Sequence, residues 1–216
     1  MKQIAVLGLG RFGRSLAKSL EDMGHEVLGV DASEEIVDEM SEVLTNAVQA
    51  NVQEENALRQ LGITNFDVVV VSIGGDIQAS IMTTMLLKEM GVPYIVCKVT
   101  TDLHAKIVSK LGADRVIFPE RDMGIRLARS IANSDILEFI ELSSEHSMLE
   151  VHTPQDWAEH TIIESNVRAR YGIYIVAIRR GDEMIVTPGP SETLHKGDIL
   201  IVIGSNDQLE KLDSKA

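Results

Sequence analysis

The chain has 216 residues, of which 44% are hydrophobic and only 4% aromatic. This composition is typical of a folded protein with an aliphatic core and excludes an intrinsically disordered chain. The formal net charge of −13 disfavours nucleic acid as a partner, because most of the surface repels phosphate. No apolar run approaches the roughly 18 to 20 residues of a membrane-spanning helix, and the amino terminus lacks the pattern of a signal peptide. We therefore expect a soluble, cytoplasmic protein whose single cysteine, Cys97, is buried and unreactive.

Short β-branched runs alternate with amphipathic helical segments over the first 133 residues. The predicted strands are Ile4–Leu7, Val27–Val30, Ala47–Gln49, Val68–Ile73, Tyr94–Val99 and Arg115–Phe118. The predicted helices between them are Arg11–Met23, Glu34–Val43, Glu54–Leu61, Ile77–Met90 and Asp102–Leu111. Several of these helices are followed by a glycine suited to a left-handed helix end, namely Gly24, Gly62, Gly91 and Gly112. Strands separated by crossover helices predict an α/β fold with a doubly wound parallel sheet of Rossmann type.

The pattern changes after a further predicted helix, Pro119–Ala132. The segments EFIELS, SMLEVHT, YIVAIRR, EMIVTP and DILIVIGS have the length and alternation of strands, and turn signals such as Arg180-Gly181-Asp182 separate them. The segment TIIESNVRARYG is predicted to form one helix closed by Gly172. We therefore expect two domains, a Rossmann-type domain over residues 1–133 and a small α+β domain over residues 134–216.

A glycine-rich loop, G-L-G-R-F-G, follows the first predicted strand and opens the first helix. Gly8 permits a tight turn, Gly10 lets backbone amides approach a phosphate, and Gly13 permits close packing of helix on strand. Asp31 ends the second strand, where a carboxylate accepts the ribose hydroxyls of a nucleotide. Together these features predict a nucleotide site, although a glycine-rich turn without a ligand is the simpler alternative.

Arg11 lies within this loop and bears on the identity of the nucleotide. A guanidinium there suits a terminal phosphate, which NAD lacks, so ATP or ADP is as plausible as NAD. The alternative is a solvated arginine at the start of the helix. Other candidates follow later strands at the same sheet edge: Asn51 and Val52, then Ile73 and Gly74 in the loop SIGGD, then Lys98. Any of these residues could instead be ordinary surface groups.

Signs of catalysis are absent from the sequence. The six histidines show no motif spacing to one another or to a carboxylate pair, and most are expected to be solvated or in turns. Patterns for serine nucleophiles, zinc hydrolases and redox cysteines do not occur. These observations favour binding without turnover over an oxidoreductase, which requires a proton donor beside the nicotinamide.

The whole chain resembles the RCK (regulator of potassium conductance) proteins, in particular the cytosolic gating subunits of bacterial Ktr/Trk potassium uptake systems. The resemblance rests on IAVLGLGRFG, GHEVLGVD, IQASIMTTMLLKEMGVP and KLGADRVIFPERDMG in the first domain, and on NVRARYGIYIVAIRRG in the second. It implies a cytosolic subunit without enzymatic activity, which forms dimers that assemble into an octameric ring. It also implies that the ring docks on a membrane potassium channel subunit and that ATP favours the conducting form.

The resemblance assigns roles to particular residues. It implies that the phosphates of ATP or ADP contact Gly8, Gly10 and Gly13, that Asp31 binds the ribose, and that Arg11 reaches the γ-phosphate across a dimer. The remaining candidates for the nucleotide crevice are Phe12, Asn51, Val52, Ile73, Gly74 and Lys98. Glu120, in FPERDMG, matches a glutamate that binds a divalent cation, Mg²⁺ or Ca²⁺, near the γ-phosphate. An acidic residue favoured by a helix amino terminus is the alternative explanation of Glu120.

Family members of this kind also bind cyclic di-AMP between two C-terminal domains, which closes the transport system. The corresponding residues are Ile162, Ile163, Asn166, Arg168, Ala169, Ile173, Ile175 and Pro188, with Arg168 on a phosphate. The alternative is that the isoleucines form core and that Arg168 lies on a solvated helix face. The segment TPGPSETLHKGD departs from the family pattern and could alter the rim of this site.

Two other functions stay open on the sequence. One is an NAD(H)-dependent oxidoreductase or NAD(H) redox sensor, which requires neither Arg11 nor Glu120. The other is an interaction module whose glycines no longer bind a nucleotide. The relative affinities for ATP, ADP and NADH separate these alternatives from a gating subunit.

Overall fold

The computed structural model describes residues 1–132 and 136–213. Within these residues the chain forms two compact units, Met1–Arg121 and Asp122–Ala216. The division lies within the helix Pro119–Ala132, whereas the sequence places a domain boundary after that helix. The boundary between residues 133 and 134 falls outside the described residues and stays a prediction.

The first unit alternates strands and helices. Its strands are β1 Gln3–Leu7, β2 Glu26–Asp31, β3 Asn46–Gln49, β4 Val68–Val71, β5 Ile95–Lys98 and β6 Arg115–Ile117. Its helices are α1 Arg11–Asp22, α2 Glu34–Ser41, α3 Glu55–Gln60, α4 Ile77–Glu89 and α5 Asp102–Leu111, and α6 Pro119–Ala132 begins at its end. The six strands are parallel in the order β3-β2-β1-β4-β5-β6. The predicted doubly wound Rossmann-type sheet is confirmed.

Both faces of this sheet are buried, as a parallel sheet requires. Ala5 and Leu7 of β1 pack into the hydrophobic cluster on one face, while Ile4 and Val6 pack into the cluster on the other. The four helix-ending glycines all have positive φ angles, from 62° to 109°. Each helix can therefore turn back sharply toward the next strand, and the carboxyl ends of the strands all reach one edge.

The second unit contains a five-stranded antiparallel sheet. Its elements are β7 Ile136–Glu141, β8 His146–His152, β9 His160–Thr161, α7 Ile162–Ser165, α8 Val167–Tyr171, β10 Tyr174–Arg180, β11 Glu183–Val186, β12 Thr193–Leu194, β13 Ile199–Ser205 and α9 Asn206–Asp213. The sheet order is β11-β10-β13-β8-β7, and β9 pairs with β12. The predicted small α+β domain is confirmed. The short strands β9 and β12 and the helix α9 were not predicted.

One predicted helix is wrong. The segment TIIESNVRARYG forms two short helices, α7 and α8, which meet at Asn166. Asn166 has φ 48° and ψ 36°, a left-handed conformation that interrupts a right-handed helix. Asparagine adopts this conformation more readily than most residues, and Gly172, with φ 74°, closes α8 as predicted. None of the helices within the described residues combines the length and apolarity needed to cross a membrane.

Candidate functional site

The glycine-rich loop between β1 and α1 has the conformation of an anion-binding turn. Gly8 has φ 96°, and its amide donates to the Val30 carbonyl oxygen at 2.8 Å. Gly10 precedes α1 with no side chain to cap it, and the first turn of α1 contains no acidic residue. The first amides of α1 are therefore available to a negatively charged ligand, which the helix dipole also favours.

Gly13 allows α1 to approach the sheet closely. A Cβ atom at this position would lie 2.0 Å from the Gly8 carbonyl oxygen and 2.7 Å from Ser72 Oγ. The Ser72 hydroxyl in turn donates hydrogen bonds to the carbonyl oxygens of Leu7, at 3.2 Å, and of Gly8. Ser72 thus ties the loop to the end of β4, and any side chain larger than hydrogen at residue 13 would push the loop away.

Asp31 ends β2 beside this loop. One of its carboxylate oxygens accepts the Leu9 amide at 2.7 Å, and the other accepts the Ser33 amide at 3.0 Å. These bonds hold the carboxylate at the edge of the sheet, and each oxygen retains a lone pair for a further donor. Such a carboxylate is suited to ribose hydroxyls, as the sequence predicts.

A cleft of about 300 Å³ opens between this loop, Asp31 and the ends of β3 and β4. This size is at the lower end of the range for small-molecule sites. Its lining is Gly8, Gly10, Val30, Asp31, Ala32, Ala50, Asn51, Val52, Gln53, Ser72, Ile73, Gly74, Asp76 and Ala79. The lining is mainly apolar or backbone, with the Asp31 carboxylate at one side. We call this space the first cleft.

A second cleft of about 320 Å³ is lined by residues at the carboxyl ends of β4 and β5 and at the starts of α1 and α6. Its lining is Gly10, Arg11, Phe12, Ser72, Gly74, Gly75, Lys98, Thr100 and Glu120. Gly10, Ser72 and Gly74 line both clefts. The second cleft brings together two cationic side chains, Arg11 and Lys98, which suits the oxygens of a phosphate chain.

Lys98 and Glu120 form an ion pair across the second cleft. The Lys98 Nζ to Glu120 Oε1 distance is 2.5 Å, and the Lys98 side chain is 10% exposed whereas that of Glu120 is 65% exposed. The hydrogen bond from Lys98 holds the pKa of Glu120 below its usual value, and the charge of Arg11 contributes in the same direction. Lys98 Nζ also lies 5.6 Å from the centre of the Phe12 ring.

Glu120 is the acidic residue for which a divalent cation is predicted. Within the described part of the chain, no three His, Cys, Asp or Glu side chains come together to hold a metal ion. Glu120 fits a cation that takes one carboxylate from the protein and its other ligands from phosphate oxygens and water, which is common for Mg²⁺. It does not fit a cation bound entirely by side chains of one chain.

The structure brings most of the predicted residues of the first unit together. Gly13 lines neither cleft, and its contact with phosphate stays a prediction. Gly8, Gly10, Asp31, Asn51, Val52, Ile73 and Gly74 line the first cleft, while Arg11, Phe12, Lys98 and Glu120 line the second. Three further lining residues, Ser72, Asp76 and Thr100, were not predicted individually as site residues. Ser72 and Asp76 belong to the loop SIGGD, and Thr100 lies two residues after Lys98, so position at the strand ends was the available signal.

Asn51 has partners of its own. Its side-chain amide donates to Glu54 at 2.8 Å, and its side-chain oxygen accepts the Gln53 amide at 3.2 Å. A bond to an adenine edge would therefore require Asn51 to share or exchange these partners. The predicted adenine contact stays a prediction.

In the second unit, α7 lies beside the loop that contains Pro188. The Ile163 amide donates to the Pro190 carbonyl oxygen at 2.9 Å, and the Ile162 amide donates to the Glu192 carbonyl oxygen at 2.9 Å. The Ile163 side chain is 66% exposed, so it is available to a ligand or partner. These contacts place Ile162, Ile163 and the loop that contains Pro188, all predicted to bind cyclic di-AMP, on one surface.

The other residues of this block have different environments. Arg168 is exposed, and its guanidinium lies 5.0 Å from the centre of the Tyr174 ring. Ala169 is exposed on α8, and Asn166 occupies the junction between the two helices. Ile173 is fully buried in the core of the second unit, and the half-buried Ile175 packs against that core. Ile173 therefore offers no exposed surface to a ligand in this structure.

Comparison with protein families gives two matches along the chain. The TrkA-N domain matches residues 4–119 and the TrkA-C domain matches residues 147–216. Ktr system potassium uptake protein C of Bacillus subtilis (strain 168) is 45% identical over 99% of this chain and 97% of its own length. Ktr system potassium uptake protein A of the same organism is 44% identical over 99% of this chain and 96% of its own length.

Solved structures agree on the fold. A GsuK channel bound to NAD superposes with a TM-score of 0.72 and 19% identity, over 99% of this chain and 39% of that chain. A GsuK structure bound to ADP superposes with a TM-score of 0.55 and 16% identity, over 62% of this chain and 35% of that chain. At these identities the likeness establishes the shared fold.

Proposed function

This chain belongs to the Ktr potassium uptake protein family, and from that premise we propose that it is a regulatory subunit of a potassium uptake system. In this proposal ATP or ADP binds to the first unit, and the bound nucleotide controls a membrane-embedded potassium transport partner. The protein binds the nucleotide without turning it over. The identity to the Bacillus subtilis potassium uptake proteins over nearly the whole of both chains supports this assignment.

The observation that carries the proposal is the pair of clefts at the carboxyl edge of the parallel sheet. The first cleft has the Asp31 carboxylate for a ribose and half-buried or buried apolar groups, such as Ile73 and Val52, for a base. The second cleft has Arg11 and Lys98 for phosphates. A nucleoside with attached phosphates matches this arrangement, because its ribose and base suit the first cleft and its phosphates suit the second.

Two cations in the second cleft favour ATP or ADP over NAD. A terminal phosphate carries more charge than either single phosphate within the pyrophosphate of a dinucleotide, and a guanidinium can bind two of its oxygens at once. NAD(H) binding, in an oxidoreductase or a redox sensor, is the competing proposal, since Asp31 also suits the ribose of NAD.

Isothermal titration calorimetry with ATP, ADP and NADH tests the proposal. We expect ATP and ADP to bind more tightly than NADH, and Arg11→Ala to weaken ATP binding at least about tenfold through the loss of a charge-assisted contact. Lys18→Ala, on the exposed side of the same helix, is the matched control and should leave affinity unchanged. Tight NADH binding together with ATP binding that is insensitive to Arg11 would overturn the proposal.

We further propose that cyclic di-AMP binds to the second unit at the surface formed by α7, α8 and the loop that contains Pro188. The exposed Ile163 offers an apolar contact for adenine and Arg168 offers a cation for phosphate. A symmetric dinucleotide suits a twofold interface between two copies, each of which contributes the same surface.

The test is calorimetry of the full chain with cyclic di-AMP. Arg168→Ala is expected to reduce affinity at least about tenfold, as for other charge-assisted phosphate contacts. Arg170→Ala is a close control, because Arg170 lies on the same helix as Arg168 and also packs near an aromatic ring. Its guanidinium is 5.5 Å from the centre of the Tyr171 ring. Equal losses for both variants, or no binding by the wild type, would count against this site.

Assembly and location follow from the same proposal. We propose that dimers of this chain assemble into an octameric ring, and that the ring associates with the cytoplasmic side of the membrane through the channel subunit. The net charge of −13 supports attachment through a protein partner, since anionic lipid would repel most of the surface. Light scattering in ATP and in ADP measures the mass of the assembly, and a mass of one or two chains in both would contradict the ring.

A further inference from the structure

Lys98 is held in an unusual position for a lysine. It ends β5, its side chain is 10% exposed, and its ammonium group contacts Glu120 at 2.5 Å. The ammonium group also lies so close to the backbone of Gly74 that a Cβ atom there would come within 3.3 Å of Nζ. The backbone of β5 and the absence of a side chain at Gly74 therefore create the space that Lys98 occupies.

The two partners of this ion pair differ in their exposure to solvent. An ammonium group that is removed from water needs a negative partner, whereas an exposed carboxylate is stabilised by solvent. Lys98 is enclosed and Glu120 is 65% exposed, so Glu120 is the partner that can leave. Any group that replaces Glu120 beside Lys98 must itself be negative, and a phosphate oxygen is such a group.

We propose that Lys98 is the internal counter-cation of Glu120 and that a phosphate chain in the second cleft displaces Glu120 from it. This inference rests on the proposed nucleotide function and specifies how the site is regulated. Once Lys98 binds phosphate, Glu120 loses its ammonium partner, and its carboxylate would be available to a divalent cation. Lys98 therefore determines the order of binding: the phosphate chain first, then the cation at Glu120.

Glu120→Gln should raise the affinity for ATP in the absence of divalent cations, whereas loss of a metal ligand lowers affinity when the cation is present. Without divalent cations, the wild type must break the pair between Lys98 and Glu120 before phosphate can bind to Lys98. Glu120→Gln removes this competition, so ATP should bind more tightly to the variant than to the wild type in EDTA. Loss of cation ligation alone would leave binding in EDTA unchanged, because no divalent cation is present there.

Repulsion between Glu120 and phosphate could also produce a gain, and a double-mutant cycle separates the two causes. The affinity for ATP in EDTA is measured by calorimetry for the wild type, Glu120→Gln, Lys98→Met and the double variant. If the ion pair is the cause, Glu120→Gln should tighten binding at least about tenfold more with Lys98 present than in the Lys98→Met background. Equal gains in both backgrounds would mean repulsion alone and would overturn the proposal.

Two controls match the charge changes. Glu55→Gln removes an exposed carboxylate that pairs with Arg59 on α3, and Lys110→Met removes an exposed lysine in the last turn of α5. Both should leave ATP affinity unchanged. With excess Mg²⁺ the wild type should gain affinity relative to EDTA, and Glu120→Gln should gain at least about tenfold less, because it cannot ligate the cation.

The outcomes distinguish this inference from the function on which it rests. If the wild type binds neither ATP nor ADP in any condition, the proposed function fails and this inference fails with it. If ATP binds but Glu120→Gln does not tighten it in EDTA, only the role of Lys98 is overturned. If Lys98→Met does not fold, the absence of a gain in Glu120→Gln alone still overturns the role of Lys98.

Discussion

Buried polar side chains cluster where α4, α5 and β5 pack together. The ring nitrogen Nε2 of His104 lies 3.1 Å from Ser80 Oγ, and the hydroxyl of Thr84 lies 3.1 Å from Cys97 Sγ and donates to the Ser80 carbonyl oxygen at 2.7 Å. His104 is 2% exposed, although most histidines of the chain were expected to be solvated or in turns. Its Nδ1 is buried and finds no hydrogen-bond partner among residues 1–132 and 136–213, so protonation there would place a charge in the interior.

Stability should fall in mild acid because of His104. Burial lowers the pKa of His104 below its value of 6.5 in the unfolded chain. The unfolded state therefore takes up the proton first, and stability is lost as the pH falls below 6.5, by at most about 1.4 kcal/mol per pH unit. Urea unfolding at several pH values, followed by circular dichroism, measures this slope.

His104→Gln should flatten the slope, whereas His152→Gln, at an exposed position, should not. An unchanged slope in the His104 variant would show that other groups cause the acid sensitivity.

Cys97 should be unreactive in the folded protein. The predicted burial is confirmed, since Cys97 is 0% exposed, and burial raises its pKa to about 11. Because the thiolate is the reactive form, a thiol reagent at pH 8 should label the native protein far more slowly than the urea-unfolded protein. Rapid labelling of the native protein would mean that α4 opens away from β5.

At the level of elements, the contact between α1 and the β-sheet depends on Gly13. A Cβ atom there would lie 2.0 Å from a backbone oxygen, which cannot move without displacing the loop. We expect Gly13→Ala to cost about 1 to 3 kcal/mol of stability and to abolish ATP binding. Gly124→Ala is the control, because a Cβ atom at Gly124 in α6 would meet none of the described atoms within 4 Å. Thermal unfolding and calorimetry measure both effects, and normal ATP binding by Gly13→Ala would contradict the loop geometry.

The junction between α7 and α8 depends on the left-handed conformation of Asn166. Asn166→Gly should preserve stability, since glycine adopts this conformation freely, whereas Asn166→Ala should cost about 1 kcal/mol. Chemical denaturation of the two variants provides the measurement. If alanine is tolerated as well as glycine, the break is not set by the backbone of this residue.

At the level of the whole molecule, each unit has its own hydrophobic core and its own proposed ligand. Ligand binding stabilises the state that binds, by about 2.7 kcal/mol at a ligand concentration 100 times the dissociation constant. Hydrogen exchange should show that ATP slows exchange in the β1–α1 loop and in residues 72–76. Cyclic di-AMP should slow exchange in α7 and at the amides of Thr187 and Gly189, since Pro188 and Pro190 have no amide hydrogen. Exchange that neither ligand slows at these segments would contradict both sites.

Much of the fold was predictable because local patterns matched it. The β-branched strands, the helix-ending glycines and the loop G-L-G-R-F-G all favour the same Rossmann-type arrangement, and local and tertiary preferences agree. The break at Asn166 was not predicted because TIIESNVRARYG has the composition of a helix. The structure shows that Asn166 adopts the left-handed conformation that separates the two helices, and that the Ile162 and Ile163 amides at the start of α7 bond to the loop that contains Pro188.

The order of residue types along the chain is sufficient to predict the doubly wound sheet, the small second domain, the glycine-rich loop and the residues at the strand ends. The topology of a parallel sheet brings all those ends to one edge, so Asp31, Asn51, Ile73 and Lys98 had to lie along that edge. Which charged side chains form ion pairs depends on the tertiary structure. That Lys98 is enclosed and pairs with Glu120 depends on packing between β5, Phe12, Gly74 and the start of α6, groups far apart along the chain. Such contacts leave no periodic pattern in a sequence, because they arise only when separate elements pack together.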